Sequence, residues 1–406
     1  MQAAALGERR RDFRVMGVVG LCHFFSHFYQ LALPPLFVLI HQTEGYSYGS
    51  LALLITVFYT TSFSLQLPVG FFVDKFGARP ILMAGVALMA STTILYGLVP
   101  GYPALVGLSI VAGAGNSVFH PADYSILNAS VTKARLGRAF SIHNFGGFVG
   151  YAVGPVLMSG MGALWGWQTA VKIAGAAGLI TVLVAIALST DFRDSSHTRR
   201  DTSQNPDLKA DIKLLFSAPA LLCLVFFALL AGGQMGPQWF ADKAYFLAHN
   251  VPVVLGNSFI SVFVVGIIVG VLAGGVAADR VRDHLRLTFF SFLLSGIGMV
   301  LMAVVPPAPL LIYPLFAITG LLFGFGFSSR DLVVSSLAPP ESSGKVFGFV
   351  FSGLDIGAAS VPLMYGYMIG AALPLEIFYL SGALIMLSGV LMALAGKSAA
   401  ARPGVR

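Results

Sequence analysis

Gly70-Phe71-Phe72-Val73-Asp74-Lys75-Phe76-Gly77-Ala78-Arg79-Pro80 lies between two long apolar runs, at about 47–73 and 80–99. A tight turn carrying two bases and one acid, with unbroken apolar sequence on both sides, reads as the connection between two membrane-crossing helices. The stretch recurs. Gly275-Val-Ala-Ala-Asp279-Arg280, continuing to Arg286, stands 205 residues later and is again flanked by apolar runs. Gly137-Arg-Ala-Phe-Ser141 returns as Gly344-Lys-Val-Phe-Gly348, an offset of 207 that also pairs Gly113 with Gly320, Gly146 with Gly353 and Pro155 with Pro362. The chain is therefore two related halves, and parallel halves of this kind predict an axis along the membrane normal with a substrate site near mid-depth.

Working outward, apolar runs fall at about 15–40, 47–73, 80–99, 104–131, 137–163 and 167–190. They resume at about 214–246, 253–278, 287–305, 309–337, 345–371 and 375–396. Hydrophobic residues make up 57% of the chain and charged residues 10%, against roughly 25% charged in soluble proteins. The expectation is an all-α membrane protein with twelve transmembrane helices as two six-helix bundles: residues 1–190, a cytoplasmic linker at 191–213, and residues 214–406. Several runs exceed the roughly 20 residues a crossing needs, which predicts tilt or kinks.

The connectors alternate in charge. Arg9–Arg14, Lys75–Arg79, Lys133–Arg138, Arg193–Lys213, Arg280–Arg286, Lys345 and the tail from Lys397 hold all Lys and Arg except Lys172, Lys243 and Arg330. The connectors between them carry none. The positive-inside rule then places both termini and the linker in the cytoplasm of a bacterial inner membrane. The net charge of +7 is accounted for by topology, which argues against a nucleic-acid partner. The basic start runs into an apolar stretch without a small-residue cleavage site, so a retained anchor is expected rather than a signal peptide. Cys22 and Cys223 sit in apolar runs and read as buried thiols.

The Gly70–Pro80 stretch resembles the cytoplasmic signature loop of major facilitator transporters, with Gly70, Asp74, Lys75, Gly77 and Arg79 in the first copy and Asp279 and Arg280 in the degenerate second. Gly113-Ala-Gly115-Asn-Ser117-Val118-Phe119-His120-Pro121 is similar to a segment of the fosmidomycin-resistance-type exporters. His23, Gln30 and Pro34-Pro35-Leu36 agree with it, as do Phe145-Gly146-Gly147 and Gly154-Pro155-Val156-Leu157. The resemblance implies proton-coupled drug export. The chain departs from it with Ser26-His27 where the relatives carry an acid, and with Ala122-Asp123 after His-Pro where they carry Glu-Ser. Gly113-x-Gly115 follows no strand and precedes no Lys-Ser/Thr, so it reads as helix packing rather than a phosphate loop.

Charge inside a bilayer costs at least about 2.5–3.5 kcal/mol at a helix centre, so ionisable residues in the runs are the site candidates. His120 and Asp123, three apart beside Pro121, either exchange protons or pack beside a kink at the proline. Asp123 maps onto Arg330 at the 207 offset, which suggests a gating ion pair or an anion contact. Alternatively, Asp331 or Asp355 neutralises Arg330, and Asp355 is itself a proton-coupling candidate. His23 and His27 share one face with Gln30. No further ligands accompany them, so they read as cavity lining with Tyr59, Asn116, Asn144, Gln234, Gln238 and Trp239, and no metal is expected. Asp242 and Lys243, like Lys172, lie near span ends and read as interfacial.

These features predict a secondary active transporter rather than an enzyme. It would need no cofactor, with a small-molecule substrate, protons and the lipid bilayer as partners and a monomer as the unit. Proton-driven export of a small organic molecule is the first reading, and uptake of a small organic or inorganic anion the second.

Overall fold

The computed structural model describes residues 2–193, 208–339 and 342–400. Twelve helices among them are long and apolar enough to cross a membrane. In the first half these are spans 1 to 6: Leu6–Glu44, Gly49–Phe76, Ala78–Tyr96, Tyr102–Ser130, Lys133–Trp165 and Trp167–Asp191. Spans 7 to 12 are Ala218–His249, Ser258–Ala278, His284–Val304, Pro309–Leu337, Ser343–Gly370 and Glu376–Ser398. Of the expected linker, 194–207 lies outside the described residues, as does the tail 401–406; a short helix, Leu208–Leu215, precedes span 7.

The chain divides into two compact units. The first comprises Met1–Asn205 with Pro339–Gly348, so it includes the opening turn of span 11. The second comprises Pro206–Ala338 with Phe349–Arg406. In the first unit span 1 packs on span 5, span 2 on span 4, and span 3 on span 6. In the second, span 8 packs on span 10 and span 12 on spans 7 and 9.

Glycines set the crossings, and they do so in the same way in both units. A Cβ on Gly113 would strike the Phe58 carbonyl oxygen, and one on Gly320 the Phe263 carbonyl oxygen. Gly146 lies against the Gly20 carbonyl oxygen and Gly353 against that of Leu224; Gly150 and Gly357 repeat the pattern against Phe24 and Ala228. Close backbone approach of this kind is what small residues supply where lipid offers no hydrophobic drive for helix association.

Two spans are broken at related positions. Span 4 stops at Asn116 and resumes at Phe119; span 10 stops at Phe325 and resumes at Phe327. The bend expected at Pro121 therefore lies a turn earlier. A proline cannot donate to the carbonyl four residues before it, here that of Ser117, and Pro121 itself sits in the first turn of the resumed helix, where a missing N–H costs little. Span 10 has Ser328 at the related position and breaks at Gly326 instead.

Polar contacts gather the basic connectors of the first unit at one end. Arg14 pairs with Asp191 at 3.0 Å, Arg135 with the buried Asp12 at 2.9 Å, and Arg79 Nε donates to Ser189 Oγ at 2.9 Å. At the connectors without Lys or Arg, Trp167 and Gln168 both donate to Glu44, at 3.2 and 3.0 Å. The charge alternation in the sequence thus corresponds to two distinct ends of this unit.

Candidate functional site

The loop after span 2 is built around Asp74. Span 2 ends at Phe76, and Gly77 (φ +95°) turns the chain into span 3 with a backbone conformation that side chains disfavour. Asp74 is buried and accepts from the backbone N–H groups of Gly344 (2.8 Å) and Lys345 (3.2 Å), capping the start of span 11. Lys345, 1% exposed, brings its ammonium to 3.9 Å from the same carboxylate and over the Phe71 ring. Gly70 allows the approach, because a Cβ there would lie 2.6 Å from the Gly344 carbonyl oxygen. Lys75 is exposed, with its ammonium over Phe76. In the second copy Asp279 caps the end of the helix Val253–Ala278, and Arg280 follows it.

The ionisable centre of the first unit lies among spans 1, 4 and 5. Asp123 is 0% exposed, and its Oδ2 is 3.2 Å from His143 Nε2 and 3.2 Å from His23 Nδ1. The His143 contact is a hydrogen bond; His23 Nδ1 is within reach but out of line for one. The His23 and His143 rings stack with centroids 3.6 Å apart. His27 and His120 close the group, 4.5 and 5.6 Å from His23, and Tyr124 meets His143 edge-on at 4.7 Å. The sequence assembles this centre simply: His23 and His27 are one turn apart on span 1, and the break in span 4 starts a new helix whose first turns carry His120 and Asp123.

A neutral hydrogen-bond network adjoins it. Asn116 accepts from Ser26 (3.1 Å) and Gln30 (3.0 Å) and donates to Ser62 (2.9 Å). Gln30 Oε1 accepts from Tyr59 at 3.3 Å and from Tyr151. Gln30 and Tyr29 also border a small cavity with Phe58, Met89, Thr93 and Tyr96.

The remaining candidates divide between the two units. Asn144 donates to its own helix at Phe140 O. In the second unit Gln234 donates to Gln238 at 3.3 Å, and Trp239 is 41% exposed. Arg330 is buried with its Nε 2.8 Å from Asp331 Oδ1 and its guanidinium 4.1 Å above Phe327 and 5.1 Å from Phe227. Of the partners considered for Arg330, Asp331 is therefore in contact within the same unit, while Asp123 is held by imidazoles within its own. Asp355 lies half-buried on span 11. Asp242 and Lys243 pair at 3.6 Å.

Sequence reasoning missed His143, Tyr151 and Lys345. A signal for His143 was present: it lies three residues before Gly146 and seven before Gly150, so it shares the helix face that those glycines press onto span 1. The rejection of a metal rested on a lack of ligands beyond His23 and His27; Asp123 and His143 are two further donor groups that only the fold brings to them.

A family model described as Major Facilitator Superfamily matches residues 19–256 and 243–404. Among curated proteins, the chain is 23% identical over 372 residues to a fosmidomycin resistance protein of Escherichia coli, covering 89% of each. It is 24% identical to a D-galactonate transporter of Escherichia coli, covering 80% of each. It is 23% identical to a probable sulfoacetate transporter of Cupriavidus necator, covering 91% of this chain and 90% of the relative. The fold matches a bacterial homologue of the iron transporter ferroportin, solved in an outward-facing state, with a TM-score of 0.70 over 94% of this chain and 99% of the other at 15% identity.

Proposed function

The chain belongs to the major facilitator superfamily and is a multi-pass membrane transporter rather than an enzyme, and we propose that it exports a small organic molecule in exchange for protons. One observation carries the coupling: a fully buried carboxylate, Asp123, in contact with two imidazoles and approached by two more. Buried ionisable groups are costly in a bilayer and persist where they work. Imidazole is the side chain that exchanges protons near neutral pH, so His23, His120 and His143 with Asp123 make a centre that can load and release a proton during alternating access. The Gln30–Asn116–Tyr59 network beside it offers neutral donors and acceptors to an organic cargo, and the fosmidomycin resistance relative favours export. The basic end of the first unit, with both termini, faces the cytoplasm in this reading.

A second reading, proton-coupled uptake of a small anion, draws on the relatives named for D-galactonate and sulfoacetate. Arg330 is its anion contact and Asp355 an additional proton site.

Flux into proteoliposomes under an imposed pH gradient, screened over drugs and organic acids, tests both readings. Gradient-dependent movement of at least one compound is expected, and Asp123→Asn should reduce it by about a hundredfold or more. Undiminished gradient dependence in that variant would remove the cluster from the mechanism. Movement of organic acids alone would favour the second reading.

A further inference from the structure

We propose that His23, Asp123 and His143 form a binding site for one divalent transition-metal ion of the zinc class. Each residue offers one ligand atom, and the three atoms lie within 4.8 Å of one another. Two edges of this triangle, from Asp123 Oδ2 to His23 Nδ1 and to His143 Nε2, are each 3.2 Å. Neighbouring ligands of a tetrahedral ion with bonds of about 2.0–2.2 Å are spaced by about 3.3–3.5 Å. Two of the three edges are therefore close to coordination spacing, and the third lies within 4.8 Å.

The polar atoms around the triangle point the same way. Asp123 Oδ1 is buried and has no hydrogen-bond partner among the described residues, and neither do His23 Nδ1 and His27 Nδ1. A buried acceptor left without a donor is costly. A cation between the carboxylate and the imidazoles satisfies Oδ1 or Oδ2 together with His23 Nδ1. Two imidazole nitrogens and one carboxylate oxygen suit zinc, cobalt or nickel and are a poor set for magnesium or calcium, which take oxygen. All three ligands belong to one unit, so the site is complete within the first half of the chain.

The ligands bind in their deprotonated forms. The binding site stands on geometry alone. Its consequence, that the metal competes with protons and arrests transport, rests on the coupling reading above.

The test uses the purified full chain without a histidine tag and Co2+ as the probe. One equivalent should bind with the visible absorption of a four-coordinate ion. His143→Gln, His23→Gln and Asp123→Asn should each abolish the band, whereas His249→Gln should leave it intact. Gel filtration identifies the variants that fold. Absence of a saturable band in the wild type, or a band surviving in folded His143→Gln, would overturn the site. Flux driven by a pH gradient in chelator-treated vesicles is measured alongside. Cobalt binding without such flux removes the coupling reading and leaves the metal site; flux without cobalt binding removes the metal site and leaves the coupling.

Discussion

Around Asp123 the first unit gathers imidazoles, and around Arg330 the second gathers phenyl rings. The two places are related by the internal repeat. Asp123 and Arg330 are 207 apart, as are His120 and Phe327. Along spans 1 and 7, the glycine contacts align Gly20 with Leu224 and Phe24 with Ala228, and the same register sets His23 against Phe227. Thus Asp123 near His23 and His120 corresponds to Arg330 over Phe227 and Phe327. One frame holds two opposite solutions to burying a charge. Phenyl faces and Asp331 hold a guanidinium. Imidazoles hold a carboxylate. In the proposed exchange the first half supplies the variable charge and the second the fixed one.

The contrast can be broken most forcefully at the fixed charge. Arg330→Gln leaves Asp331 buried without its guanidinium, at an expected cost of about 3–5 kcal/mol in stability. Thermal unfolding of the purified variant reads it, and a variant as stable as the wild type would show that the cation is dispensable to the second unit. The shared frame comes next. Gly146→Ala and Gly353→Ala each drive a methyl into a carbonyl of the facing helix, and both should cost about 1–3 kcal/mol by the same measurement. A large loss in one and none in the other would mean that the crossings are not equivalent. Smallest is Phe327→Leu, which keeps apolar bulk but removes the ring 4.1 Å from Arg330. An expected loss of about 0.5–2 kcal/mol would sharpen the cation–π assignment.

Most of the architecture was legible because membrane helices announce themselves. Apolar runs mark the spans, alternating Lys and Arg mark the ends, and the repeated glycines mark where backbones touch. The pivot of span 4 was harder to place, since Pro121 weakens the hydrogen bond one turn upstream and the break falls at Ser117–Val118. The centre of the site was half legible. His23, His27, His120 and Asp123 stand out as polar residues in apolar runs, but that His143 closes on Asp123 depends on the crossing of spans 4 and 5, which no local pattern encodes. Lys345 was hidden differently: it counts as a basic connector in the sequence, yet it is buried against Asp74.

The stacked rings of His23 and His143 bear on energy conversion in the proposed exchange. With centroids 3.6 Å apart, two imidazolium charges would repel by about 4–5 kcal/mol at an effective dielectric of 20. In the exchange proposed above, charging both rings at once is therefore disfavoured. A carrier that loads one proton per turnover and moves one neutral cargo in return can sustain about a tenfold concentration ratio per unit of pH difference, plus the share contributed by membrane voltage. Under the proposed exchange, that ratio is the steepest gradient a one-proton cycle would build.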